Sequence, residues 1–260
     1  MRAGFEGPGA RPSAHPKGRA YVNRGAEPDD GEGFPAEFDR IEAAVDAGAT
    51  DLRAMGFWPL LAKVKADRAL ATHWAEQAGR IDRKAFERGV RFRFPVWLGN
   101  FVLLLGVVVA AIAVGMALAT DSETVAGLAL VFAALTWSAA VHSPTHWLVG
   151  RMIGLRFVSY FFRGLVPPVP GLKIDYATYL LASAEGRAWM HASGAIASKV
   201  APFVALAFWP ATVAPAWAVW ILVGYGALLL LTDIFISTKK SDWKRFRREL
   251  RIARRQASSG

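Results

Sequence analysis

The sequence predicts an all-α, polytopic membrane protein with about four transmembrane helices. Three observations support this fold class. The 260-residue chain is 53% hydrophobic yet carries a net charge of +10, which is typical of apolar spans between basic, water-facing segments. It contains long apolar runs, each able to cross a hydrocarbon core about 30 Å thick at a helical rise of about 1.5 Å per residue. Among the connections between these runs, lysine and arginine occur only in alternate ones.

The predicted transmembrane domain covers residues 96–238. Its spans are expected at about 96–119, 125–150, 189–209 and 216–236. The links that follow the first and third spans contain no lysine or arginine, whereas the segments before, between and after the two hairpins are basic. Because lysine and arginine accumulate in loops that stay cytoplasmic, this pattern predicts a multi-pass protein of the plasma or inner membrane with both termini cytoplasmic.

The segments outside the spans differ in composition. Residues 1–35 are rich in Gly, Pro and charged residues, which predicts a disordered tail. Residues 36–95 carry apolar residues at spacings of three to seven, which predicts a cytoplasmic segment of amphipathic helices. Residues 239–260 form a basic cytoplasmic tail, in which Ser241 and Asp242 resemble a helix N-cap. We expect the basic ends to contact anionic lipid headgroups, and no nucleic acid is expected as a partner.

The connection within residues 157–172 is unusual, because it is rich in both aromatic residues and proline. It is too apolar for an ordinary loop and too rich in proline for a helix. We therefore predict a loop, with a hairpin that re-enters the membrane as the alternative. Irregular backbone at membrane depth must be shielded by protein or line a wet cavity.

Ionisable residues inside spans are costly and are therefore candidates for function. His142 and His146 lie four residues apart on the second span, which places them on one helix face, and Asp233 lies on the fourth. Helical rise puts all three about 7–14 Å from the cytoplasmic ends of their spans. Two imidazoles and a carboxylate suit zinc, with a fourth position for water. The alternative is a structural cluster, in which the histidines bond to the backbone and Asp233 pairs with Lys199.

The order of these polar residues resembles that of the site-2 protease (M50) family of intramembrane zinc metalloproteases. The family carries His-Glu-x-x-His, then Gly-x-x-x-(Asn/Ser/Gly), then Asp on three successive spans. The matching positions are His142 with His146, Gly194 with Ser198, and Asp233. The resemblance implies a site-2-protease-like core, a zinc ion held by the two histidines and Asp233, and a transmembrane protein as substrate or partner.

The match, which covers about residues 95–240, departs from the family at its proteolytic base. The family's glutamate after the first histidine is the general base for the attacking water, and this chain has Ser143 there. A serine hydroxyl has no useful basicity near neutral pH. Ile234 also replaces the glycine that usually follows the aspartate. The resemblance therefore implies a pseudoprotease that binds zinc, and the alternative function is a non-enzymatic membrane adaptor or scaffold.

Accessory residues near the motifs have simpler interpretations. His191 is expected at the membrane interface where the third span begins, with a fourth ligand or a replacement base as the alternative. Haem between His191 and one of the other two histidines is a further alternative. Gly194 and Ser198 are expected to allow close helix packing. The chain has no cysteine, which excludes disulfides, thiolate metal sites and cysteine nucleophiles.

Overall fold

The structure, a computed structural model, describes residues 33–163, 169–235 and 241–258, with the backbone alone at 163, 169–170 and 233–235. Most of the predicted N-terminal tail lies outside these residues. The chain is mostly helical, as predicted. The all-α class is nevertheless wrong in one respect, because a small antiparallel sheet is also present.

Within the described ranges the α-helices follow one another as α1 (Gly33–Asp46), α2 (Phe57–Ala66), α3 (Arg68–Gly89), α4 (Val96–Ala119), α5 (Glu123–Met152), α6 (Tyr176–Leu181), α7 (Ala184–Ala207), α8 (Ala216–Phe235) and α9 (Asp242–Ser258). A 3-10 turn at Trp209–Ala211 connects α7 to α8. The strands are β1 (Arg93–Phe94), β2 (Phe157–Arg163) and β3 (Val169–Ile174).

Three of these helices are long and apolar enough to cross a membrane. They are Val96–Ala119, Glu123–Met152 and Ala184–Ala211, of 24, 30 and 28 residues, the last including the 3-10 turn. Helix α4 has the bounds expected for the first span, whereas α7 begins five residues before the expected third span. Helix α8 contributes a shorter apolar stretch, Ala216–Thr232, within the residues described.

The membrane helices pack through small side chains. Helix α5 lies against α4, α7 and α8. Their shared core is mostly alanine, including Ala113, Ala133 and Ala218. Small residues let helix backbones approach closely, which is how helices gain contact in lipid. Large apolar side chains such as Phe101 and Leu104 instead face outward on α4, as expected for a surface in contact with lipid.

Helices α1–α3 form a separate apolar core outside the membrane helices. Asp67 caps α3 by accepting hydrogen bonds from the backbone amides of Ala69 (2.7 Å) and Leu70 (3.0 Å). The core contains Phe38, Ile41, Val45, Phe57, Leu61, Val64, Ala78 and Ile81. Leu180 of α6 is buried in the same cluster, so the N-terminal helices pack onto the connection that leads into α7.

The segment predicted as a loop at 157–172 instead supplies β2 and most of β3, with residues 164–168 outside the described part. The order is β1-β2-β3, and both pairs are antiparallel. Pro170 is compatible with β3 because β3 is an edge strand. Lys173 Nζ lies 2.5 Å from Asp82 Oδ2 on α3, and the Tyr160 hydroxyl donates to Asn100 Oδ1 (2.8 Å) on α4. The sheet therefore links the N-terminal helices to the first membrane helix.

The C-terminal helix α9 packs on α7 and α2. Its inner face carries Glu249, which is fully buried and binds Lys65 of α2 and Arg187 of α7, the latter at 2.8 Å from Nε. Its exposed face carries only cations on its first four turns, at Lys244, Arg247, Arg248, Arg251, Arg254 and Arg255. The predicted basic helix is thus basic on one face, while its other face packs against protein.

Burial and charge act in opposite directions within this ion cluster. Burial alone raises the pKa of Glu249, but Lys65 and Arg187 outweigh it and lower that pKa to about 2. Burial also lowers the pKa of Lys65 to about 8, against the opposing effect of Glu249. All three side chains are therefore charged near neutral pH, and the cluster is an ion network rather than a set of neutral hydrogen bonds.

Candidate metal centre

His142 and His146 lie one turn apart on α5, and both rings project from the same helix face. Their ring centroids are 4.7 Å apart and the rings are nearly perpendicular. This orientation brings the two Nε2 atoms to 3.3 Å from each other. The sequence-predicted pair of imidazoles is thus present, with one nitrogen of each ring directed at a common point.

A carboxylate from α9 completes the group. Asp242, the first residue of that helix, places Oδ2 at 3.3 Å from His142 Nε2 and at 3.4 Å from His146 Nε2. Among the described residues, these three side chains form a cluster that is able to hold a metal ion. Burial alone raises the pKa of Asp242, but hydrogen bonds to the two histidines outweigh it and hold that pKa below its usual range.

The remaining ring nitrogens fix the tautomers. His146 Nδ1 lies 2.6 Å from the Met190 carbonyl oxygen, which can only accept, so Nδ1 carries the hydrogen. His142 Nδ1 lies 3.4 Å from Ser198 Oγ, whose own hydrogen is donated to the Gly194 carbonyl (3.0 Å). His142 Nδ1 is therefore the donor there. A ring with this single hydrogen presents a lone pair at Nε2 to the common point, whereas a ring that carries a second hydrogen donates it from Nε2 to Asp242.

Three acceptors so close together require a cation or a proton between them. Two ligands of a tetrahedral zinc at about 2.0–2.1 Å lie about 3.3–3.4 Å apart. The separations of 3.3, 3.3 and 3.4 Å between the three ligand atoms match this spacing on every edge. The hydrogen bonds at both Nδ1 atoms correspond to the outer contacts that orient metal-binding histidines.

The cluster is open on one side. The side chain of His142 is 37% exposed, compared with 13% for His146 and 21% for Asp242. Three protein ligands and an accessible side leave a fourth position for a small molecule, as in catalytic rather than closed structural zinc sites.

Helix α7 closes the other side through small residues. A side chain at Gly194 would meet His146 Nε2 and would lie 2.6 Å from the His142 carbonyl oxygen. Gly194 is therefore needed for α7 to approach α5 at the level of the histidines. Ser198, one turn further on, supplies the hydrogen bond to His142. Both residues act in helix packing as expected from the sequence, and both also touch the cluster.

Sequence reasoning assigned the carboxylate to Asp233, whose side chain lies outside the described part of the structure. It treated Asp242 as part of a helix cap. In the structure Ser241 Oγ caps α9 by accepting from the Lys244 amide (3.4 Å), and the Asp242 carboxylate faces the histidines. One signal in the sequence could have identified Asp242: within α9, which is otherwise strongly basic, it is one of two acidic residues.

The other predicted accessory residues lie beside the cluster. His191, which is expected at the membrane interface, is 4% exposed, and its Nε2 lies 2.9 Å from the Tyr179 hydroxyl oxygen. Lys199 Nζ donates to the Ala195 carbonyl (3.1 Å). Ser143 follows His142 on α5 and is half-buried. Among the described residues, none of these three belongs to the group able to hold a metal.

An apolar groove of about 650 Å³ runs between α5 and α7 beside the cluster. On α5 it is lined by Val141 and Thr145, which adjoin the two histidines in sequence. On α7 it is lined by Ser193 and Ala197, which adjoin Gly194 and Ser198. The hydroxyls of Thr145 and Ser193 both donate to backbone carbonyls of their own helices, so the groove presents mainly apolar surface.

Comparison with protein-family models, curated proteins and solved structures finds no significant match to this chain. The resemblance to site-2 proteases therefore stays a prediction that rests on the motifs quoted above. What the cluster can do follows from its geometry. Helices α5 and α9 supply its three possible ligand atoms, α7 supplies the hydrogen bonds that orient the histidines, and one side of the cluster is open.

We predict that Gly194→Ala disrupts the cluster, because the added methyl group overlaps His146 and must push α7 away from α5. The expected cost is about 1–3 kcal/mol of stability and a loss of metal affinity. Gly224→Ala on α8 is the matched control, since a methyl group there meets nothing within 4 Å. Thermal unfolding in detergent and metal titration measure both effects. Equal behaviour of the two variants would contradict the packing role of Gly194.

Proposed function

We propose that this protein is an integral membrane zinc protein whose metal is held by His142, His146 and Asp242. The observation that carries the proposal is the triangle of two Nε2 lone pairs and one carboxylate oxygen with edges of 3.3–3.4 Å. Two borderline nitrogen donors and one hard oxygen favour zinc over calcium or magnesium, which prefer oxygen alone. The same ligands and their hydrogen bonds to Met190 and Ser198 support a site built to hold its metal in a fixed orientation.

We further propose that the protein is a site-2-protease-like pseudoprotease. Zinc supplies a Lewis acid that activates water, and peptide hydrolysis also needs a group that accepts the water's proton. Ser143 occupies the position of that base and cannot serve as one. Asp242 is the one carboxylate of the described cluster, and as a ligand it is committed to the metal. The apolar groove beside the site suits a transmembrane segment of a partner protein, which would be bound without being cleaved.

The proposed topology has four spans, with α8 as the fourth and both termini cytoplasmic. Helix α8 is 20 residues long, close to the minimum for crossing the membrane. With four spans the N-terminal helices and the basic face of α9 lie on one side, where anionic headgroups attract the exposed cations of α9. With three spans they would lie on opposite sides of the membrane, which is incompatible with the direct packing of α9 on α2. That contact therefore supports an even number of spans.

The alternative is a non-enzymatic adaptor or scaffold, whose polar cluster is structural and whose helical N-terminal segment and basic α9 recruit partners. One observation favours it: a proton shared among His142, His146 and Asp242 would satisfy the same three acceptors without metal. Metal content separates the two functions directly.

Protein purified in detergent without chelators should contain about one zinc per chain by elemental analysis. The double variant His142→Ala with His146→Ala should contain none, and Asp242→Asn should bind at least about 100-fold more weakly, since losing a ligand costs more than the roughly 10–100-fold for losing an outer contact. Asp233→Asn should keep the metal, and His73→Ala is the matched control because His73 is an exposed histidine on α3. Folded wild-type protein that neither contains nor binds zinc would reject the zinc proposal and favour the adaptor.

Ser143→Glu tests whether only the proton acceptor is missing. A glutamate at this position would supply a base one residue from His142, and we expect cleavage of a transmembrane peptide where the wild-type protein shows none. Ser143→Gln is the control, because it has nearly the same shape without basicity. Cleavage by the wild-type protein at a comparable rate would show that the protein is an active protease and not a pseudoprotease.

Single cysteines test the topology, since the chain has none of its own. In intact cells Thr72→Cys and Arg254→Cys should be protected from a membrane-impermeant maleimide, whereas Asp121→Cys, in the link after α4, should react. Both protected sites are exposed in the structure, so protection reports the membrane and not burial. Labelling of only one of the two would show an odd number of spans.

A further inference from the structure

Helix α9 contains two acidic residues, Asp242 and Glu249, among many basic ones. They are seven residues apart, which is about two helical turns, so they lie on the same face. That face packs against the protein, and the first acid meets the histidine pair while the second meets a buried pair of cations. A single rigid helix therefore joins the candidate metal centre to a buried ion cluster about 10 Å away.

Glu249 receives contacts from three separate elements. Lys65 comes from α2, Tyr179 from α6 and Arg187 from α7. The Glu249 side chain is 0% exposed, and those of Lys65 and Arg187 are 6% and 2% exposed. The Tyr179 hydroxyl donates to Glu249 Oε1 at 3.1 Å and contacts His191, one residue beyond the Met190 carbonyl that orients His146.

The other contacts along α9 are weaker. Phe246 packs on Trp189 with ring centroids 5.5 Å apart, and Gln256 donates to the Lys65 carbonyl at 3.4 Å. Loss of the Glu249 charge would instead leave two cations buried without a counter-charge, which is strongly unfavourable. The ion pairs of Glu249 with Lys65 and Arg187 are therefore the main electrostatic interaction that keeps α9 docked.

We propose that Glu249 is a positioning residue that docks α9 so that Asp242 completes the metal centre. This inference rests on the proposed function, and it adds a means of regulation to that same site. A metal ligand must be placed to within about 0.2 Å, so a small displacement of α9 removes Asp242 from the site. By linkage, metal at Asp242 in turn stabilises the docked helix. Because Lys65 belongs to the N-terminal helices, whatever displaces α2 also weakens the metal site.

The first test measures zinc affinity by competition with a chelator. Glu249→Gln keeps the shape of the side chain but removes its charge, and we expect affinity to fall about 10–100-fold, as for loss of an outer contact to a metal site. Arg251→Gln on the exposed face of α9 is the matched control and should leave affinity unchanged. If Glu249 only stabilises the fold, Glu249→Gln will lower thermal stability without changing zinc affinity.

The second test follows the helix itself. Spin labels at Ala62→Cys on α2 and Arg254→Cys on α9, both exposed sites in a chain without native cysteine, report the distance between these helices. We expect a narrow distance distribution in the parent protein and a broad one with Glu249→Gln. Saturating zinc should narrow the broad distribution again, because metal binding and docking are linked.

The outcomes separate the inference from the proposed function. If Glu249→Gln folds and keeps both zinc affinity and a narrow distribution, the positioning role is wrong while zinc binding stands. If the parent protein binds no zinc, the proposed function fails, and an unchanged distance distribution in metal-free Glu249→Gln would also overturn the docking role.

Should Glu249→Gln not fold, Lys65→Gln is the second variant. It leaves Arg187 paired with Glu249 and should weaken zinc binding less strongly. No change in affinity or distance in that variant would overturn the inference.

Discussion

The close approach of α5 and α7 at Gly194 is the contact on which the candidate site depends. Because Gly194 has no side chain, the Met190 carbonyl reaches His146 Nδ1 at 2.6 Å, and Ser198 reaches His142. These contacts place the hydrogen of each ring on the nitrogen that points away from the site. Nε2 of both rings then faces Asp242. The histidines supply the nitrogen ligands, and helix packing determines which nitrogen of each ring is directed at the cluster.

The second constraint is electrostatic, and it involves the water-facing helices. Asp242 and Glu249 are both turned inward on α9, while the cations at positions 247, 251 and 254 are exposed. The inward acids contact Lys65, Arg187 and the histidine pair, whereas the outward cations stay hydrated or meet headgroups. This separation gives α9 one orientation on the protein. The sheet adds a second electrostatic link through Lys173 and Asp82, which joins the N-terminal helices to the strands that contact α4.

Hydropathy was sufficient to find α4, since a span needs only length and apolar character, and the four-residue spacing was sufficient to pair His142 with His146. The strands at 157–174 were missed because aromatic and proline residues also suit a loop, and only the pairing of β2 with β3 and β1 distinguishes the two. Asp242 was missed for a similar reason. It lies 96 residues from His146, and its role depends on how α9 docks, which local patterns do not encode. Asp233 is predicted because depth within a span can be counted from sequence, and this stays a prediction, since the Asp233 side chain lies outside the described part of the structure.

Metal binding and hydrolysis place different demands on such a site. Binding needs lone pairs at fixed separations, and the three acceptors at 3.3–3.4 Å meet that need. Hydrolysis needs in addition a proton acceptor that is not a ligand, and Ser143 offers none. Under the proposed function, a metal here would join a membrane helix to the C-terminal helix, because its ligands come from α5 and α9. An ion that binds only the docked arrangement would stabilise that arrangement by an amount that grows with the logarithm of its concentration. The ligand geometry would thus join α5 to α9 even where no base is present for hydrolysis.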